Sequence, residues 1–145
     1  MKNFSILTLI AIFTLSCNCK KNTTQNATQN TTQNINRVWM LVEFKAYKKE
    51  FLVAQNAFLN LTDAERASSK MGCNALSFSY LVKEGTSIEF SQGIATKMYC
   101  QESMQLEDDF LKDILKMKHF KAEGHSLILT SDDGEKMVFI AQDWD

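Results

Sequence analysis

Proline is missing altogether from the 145 residues, where ordinary usage near ~5% would supply several. An abundance of Lys, Asn and Ile accompanies the gap, so it reads as compositional bias without a functional message. Arginine is almost as scarce: Arg37 and Arg66 are the only two, and the formal net charge is -1. A nucleic-acid surface needs a concentrated basic face, and bidentate phosphate capture needs guanidinium groups, so neither partner is expected. Histidine is limited to His119 and His125, on either side of Gly124 in a stretch that reads as a connector. The chain lacks the Gly-x-Ser-x-Gly and His-Glu-x-x-His patterns of hydrolases. Glu102, Glu107, Asp108 and Asp109 stand close together, and a solvated helix start accounts for them. No catalytic residue and no cofactor are expected, and the chain reads as a non-enzyme.

What is present begins with an address. Met1-Lys2-Asn3 is a short positive start, and Phe4 to Leu15 is an uncharged, mostly apolar run of 12 residues. That is too short for a spanning helix of about 20 residues and fits a signal peptide. Leu15-Ser16-Cys17 is similar to the end of a bacterial lipobox, with Cys17 as the residue to be acylated. Residues 1–17 are therefore expected to be a lipoprotein signal ending at Cys17. Several acyl chains, at about 0.8 kcal/mol per buried methylene, would hold such a protein on a membrane. The alternative is a plain secretory signal with an incidental cysteine. Residues 18–36 carry a four-residue repeat of Asn, Thr and Gln, which cannot bury enough apolar surface to offset its ordering entropy and so predicts a flexible tether. Cys19 would be left as an odd thiol.

Residues 37–145 hold the folded part. Val38 to Phe44 is apolar on both faces and predicts a central strand. Ala57 to Leu61 reads as a second strand, and Leu76 to Val82 as a third, with Phe78, Tyr80 and Val82 on one face. Lys83 to Thr86 turns the chain into Ser87–Phe90. From Ser103 the period becomes helical: Leu106, Phe110, Leu111, Ile114 and Leu115 form one apolar stripe. Ser103 is the expected N-cap and Gly124 the stop, with Lys112, Lys116, Lys118 and Lys121 toward the end. Two strands around Asp133-Gly134 close the chain. The expected fold is mainly β (α+β): a small curled or closed antiparallel barrel-like sheet with one packed helix.

These pieces resemble the META domain, the family that includes the HslJ lipoproteins of bacteria. The residues that carry the likeness are Trp39-x-Leu41, Gly72-Cys73-Asn74, Tyr80 and Thr96-Lys97-Met98-Tyr99-Cys100. Glu107 with Phe110-Leu111, and Leu127, Leu129, Gly134 and Phe139, complete it, so that it covers almost all of 37–145. It implies a small β-barrel with an attached helix and an association with envelope stress, heat inducibility and antibiotic tolerance. It implies no particular reaction.

An envelope compartment is oxidising, so Cys73 and Cys100 are expected to pair. Closing that loop would contribute about 3.5 kcal/mol on a chain-entropy account. A redox couple is the alternative, although a Cys-x-x-Cys spacing is absent. A metal site from Cys73, Cys100, His119 and His125 is the weaker one, since none of these has short ligand spacing. The expected function is thus a monomeric, lipid-anchored envelope protein that binds another envelope component; the alternative is a carrier holding an apolar small molecule or lipid inside the barrel.

Overall fold

The computed structural model describes residues 34–143. The expected signal segment, Cys17, Cys19 and the start of the expected tether lie outside the described residues. Nine strands and two helices follow in the order β1 (Val38–Phe44), α1 (Lys49–Ala54), β2 (Phe58–Asp63), β3 (Arg66–Lys70), β4 (Ala75–Val82), β5 (Ile88–Phe90), β6 (Ile94–Ala95), α2 (Met104–Ile114), β7 (Met117–Glu123), β8 (Ser126–Ser131) and β9 (Lys136–Ala141).

All neighbouring strands pair antiparallel in the order β5-β4-β3-β2-β1-β9-β8-β7, with β6 alongside β4 beyond β5. The two outer strands then meet. Ser87 bridges His119, and Phe120 N–H donates to Thr86 carbonyl oxygen at 2.8 Å. The sheet is a nearly closed barrel, as the alternating short strands predict.

Alternation decides which side chains point inward. Leu76, Phe78 and Tyr80 are buried along β4, while Ser77, Ser79 and Leu81 face out. In β1 the register against β9 shifts between Leu41 and Glu43. This bulge lets Trp39, Leu41 and Phe44 all face the core despite their uneven spacing. One continuous core results, including Trp39, Leu59, Leu61, Phe110, Leu129 and Phe139, each at most 1% exposed.

Helix α2 is shorter than its lysine pattern suggests. It stops at Ile114, and Met117 to Glu123, expected as its last turns, form β7 instead. Met117, Phe120 and Ala122 alternate inward or half-inward there, so tertiary pairing with β8 prevails over helical propensity. Gly124, at φ +57°, turns β7 into β8 rather than ending a helix. Leu106, Phe110 and Ile114 are buried as the stripe predicts, but Leu115 is 37% exposed. Ser103 precedes the helix without a side-chain capping bond. Helix α1 and strands β3 and β6 are additions to the expected element set.

The ends of the barrel differ. At one, the chain enters: Arg37 reaches the Gly124 carbonyl at 3.2 Å and the Asp143 carboxylate at 2.8 Å. At the other lie α1, the Gly72–Asn74 loop, the 96–103 segment and α2.

Candidate functional site

The motif residues converge at this second end. Gly72 has φ +109°, and a Cβ there would collide with Gln55 Oε1 and lie 2.7 Å from Ser103 Cβ. Only glycine lets the loop pass between the end of α1 and the start of α2. Directly after it, Cys73 is joined to Cys100 by a disulfide across 27 residues, with the Cα atoms 6.0 Å apart. This covalent link ties the start of β4 to the segment entering α2. Backbone bonds from Ser103 N–H and Met104 N–H to the Cys100 carbonyl, both 3.2 Å, carry it into the helix.

Asn74 is the polar centre. Its backbone N–H donates to Glu107 Oε2 at 2.9 Å and its side-chain amide to Glu107 Oε1 at 2.8 Å. The same amide nitrogen donates to the Met98 carbonyl at 3.1 Å. Its Oδ1 accepts from Thr96 Oγ1 and from Met98 N–H, both at 2.8 Å. Thr96 Oγ1 in turn accepts from Ala75 N–H at 3.1 Å. Both donors and both acceptor positions of the amide are used, as a buried asparagine requires. Glu107 is 6% exposed, a correction to its reading as part of a solvated helix start. Its carboxylate is held by charge-assisted bonds instead.

Two motif positions act differently. Met98 contributes its backbone to Asn74 and leaves its side chain 57% exposed; Tyr99 beside it is 78% exposed. Trp39 sits away from the brace, near the chain-entry end of the core. Its indole N–H donates to the Ile35 carbonyl at 2.8 Å and the Arg37 guanidinium lies 5.7 Å from its ring centroid.

A second charged group, not apparent in the sequence, fastens the same helix near its C-terminal end. Asp113 is 1% exposed, and Lys45 and Lys116 ammonium groups approach its two oxygens at 2.7 Å, without an aligned hydrogen bond. Burial pushes the Asp113 carboxyl upward, but the two ammonium groups outweigh it and hold the group below its ordinary value. Tyr47 hydroxyl donates to Asp109 Oδ2 at 2.7 Å. Burial first, then Asp109, raises the Tyr47 phenol. The Asp113–Lys116 spacing of three was the available signal.

The histidines are not brought together with the cysteines. His119 is exposed at the barrel seam, 3.2 Å from Asp132, and His125 lies in the β7–β8 turn. Among the described residues no group of three His, Cys, Asp or Glu is placed to hold a metal ion. The brace offers no free polar atom to a substrate; it fixes a loop and a helix.

A nearly closed antiparallel barrel, capped at one end by a helix that a disulfide and a buried Asn–Glu pair lock in place, defines the class of protein. The META domain model matches residues 30–144, and the chain belongs to that family. Among solved structures it is similar to a protein from Burkholderia xenovorans studied by NMR, with TM-score 0.60 and 19% identity over 79% of this chain and 87% of that one. It is also similar to a DUF4847 family protein from Bacteroides vulgatus, with TM-score 0.55 and 8% identity over 76% of this chain and 95% of the other. At these identities the likeness is one of fold. No curated protein sequence matches the chain.

Proposed function

We propose that this META-domain protein is a non-catalytic envelope lipoprotein, acylated at Cys17, whose barrel binds another envelope component. The disulfide is the observation that carries the reading. A pair of cysteines joined inside a folded domain belongs with an oxidising compartment, and the apolar run ahead of Cys17 supplies the route there. The saturated Asn74–Glu107 brace supports a structural rather than a reactive motif. A role in envelope or heat stress and antibiotic tolerance is what the family resemblance adds. The carrier alternative has less support: the inward faces hold Trp39, Phe44, Phe110 and Phe139, and a groove of about 640 Å³ along Glu65, Ser79, Leu81 and Glu89 is open to solvent.

Intact mass spectrometry of the mature chain from membranes tests the anchor. A diacyl or triacyl mass on a chain beginning at Cys17 is expected. A mature, unacylated chain beginning elsewhere would overturn it.

A further inference from the structure

We infer that the outer face of β2, β1, β9 and β8 is a lipid-contact surface, which lies flat on a zwitterionic bilayer. The inference deepens the proposed anchored function by naming the face that meets the membrane. It rests on that reading only for what brings the bilayer near.

Alternation supplies the first observation. Along β1 the buried Trp39 and Leu41 leave Val38, Met40 and Val42 on the outside, half-buried. Phe58 of β2, Ile128 of β8, and Val138 and Ile140 of β9 are half-buried and outward in the same way. The registers join these side chains into one patch. Met40 stands opposite Phe58 on one side and Ile140 on the other. Val138 stands opposite Ile128, and the bulge in β1 sets Val42 beside it, next to Glu43. A solvated sheet face ordinarily carries polar residues. The opposite wall of the barrel does so: Arg66, Ser68, Ser77 and Ser79 point outward from β3 and β4.

Size and charge narrow the occupant. The patch presents on the order of 300 Å², enough to mark a contact surface but far short of the ~800 Å² per partner that a stable dimer buries. An area this small serves a chain already held beside its target, because tethering replaces free encounter with a high effective concentration. The charged border is internally paired: Lys136 meets Glu43 at 2.8 Å and Lys121 meets Glu123 at 2.9 Å. Paired in this way, it favours a neutral, apolar partner over an acidic or a basic one.

The chain outside the described residues selects the bilayer. It joins the domain at Asn34, and Val38, shortly after, already belongs to the patch. Gly124 and Asp143, which Arg37 bonds, flank β8 and β9 at the same end, so the apolar face begins where the chain enters. Residues 18–33, between Cys17 and Asn34, can reach at most about 60 Å. A domain anchored at Cys17 therefore cannot leave the neighbourhood of the membrane, and this face is the one whose side chains lipid would cover.

The test holds the full chain on phosphatidylcholine vesicles through an N-terminal histidine tag and a nickel-chelating lipid. Cys17→Ser and Cys19→Ser leave one added cysteine to carry a fluorophore, either Thr130→Cys beside the patch or Ser77→Cys on the opposite wall. Brominated phosphatidylcholine is expected to quench the label at position 130 about threefold more than that at 77. β8 runs away from the chain-entry end, so closeness to the tether alone would not single out position 130. Raising the salt to about 1 M should leave the difference unchanged. Ile128→Thr, Val138→Thr and Ile140→Thr together keep β-branched side chains on the strands and should bring both labels to the same quenching. If that variant does not fold, Met40→Gln alone should narrow the difference. Equal quenching in the parent, stronger quenching at 77, loss of the difference in salt, or a difference seen only at high protein density, as a second copy would give, would overturn the inference. Attachment here does not use acylation, so failure of the Cys17 anchor leaves this result readable.

Discussion

Replacing Asn74 with alanine examines the brace directly. The amide bond to Glu107 is buried and charge-assisted, and losing it costs about 2 kcal/mol. The other bonds, to Thr96 and Met98, border an exposed segment where water can substitute, so each adds about 0.5 kcal/mol. The sum, about 3.5 kcal/mol, is a large fraction of the ~5–15 kcal/mol that holds a domain together. For a domain of about 110 residues this lowers Tm by roughly 15 °C. Calorimetry of Asn74→Ala, Glu107→Gln and the double variant would separate the pair from its surroundings. A coupling of about 1.5 kcal/mol is expected, because the two residues lose one shared interaction. A Tm shift of Asn74→Ala below about 3 °C, or additive single effects, would refute the reasoning.

Other outcomes follow from the same region. Asn74→Asp sets a second carboxyl against Glu107, which raises a folded-state pKa, so the variant should be least stable near neutral pH and recover stability on acidification, as urea midpoints across pH would show. Gly72→Ala needs both a positive φ and room that Gln55 and Ser103 occupy; chemical denaturation should show a loss above about 2 kcal/mol. Changing Cys73 and Cys100 together to serine should cost about 3 kcal/mol and speed exchange of the 96–100 amides more than those of β8. Asp113 has a lowered folded pKa, so its stabilisation is present above the ordinary carboxyl value of 3.8 and is lost as pH falls through the folded value. Acid titration of Asp113→Asn should therefore show a shallower loss than the parent.

Local pattern carried much of this architecture and long-range pairing the rest. β4 and the Asp133–Gly134 hairpin were legible because alternation and turn chemistry agree with the tertiary structure. Strand β3, Arg66-Ala-Ser-Ser-Lys, has no apolar repeat strong enough to announce itself; it forms because β2 and β4 lie on either side. β7 was hidden for the converse reason, its lysines and Met117 continuing the helical pattern. At the site, the paired cysteines were readable from type and compartment, and Gly72 and Asn74 from the family resemblance. Glu107 was marked only by the family resemblance, since nothing local separates a buried helical carboxylate from its exposed neighbours Asp108 and Glu102.

The position of β1 between β2 and β9 has a consequence for the order of assembly. The strand nearest the N-terminus cannot gain its second neighbour until the last strand has been made, so the central seam of the sheet is sealed late. The covalent link joins residues from the middle of the chain, and its loop can close while the final hairpin is still missing. A half that is already fixed then waits for the strands that complete it, and the long search for partners shrinks to the docking of one three-stranded piece.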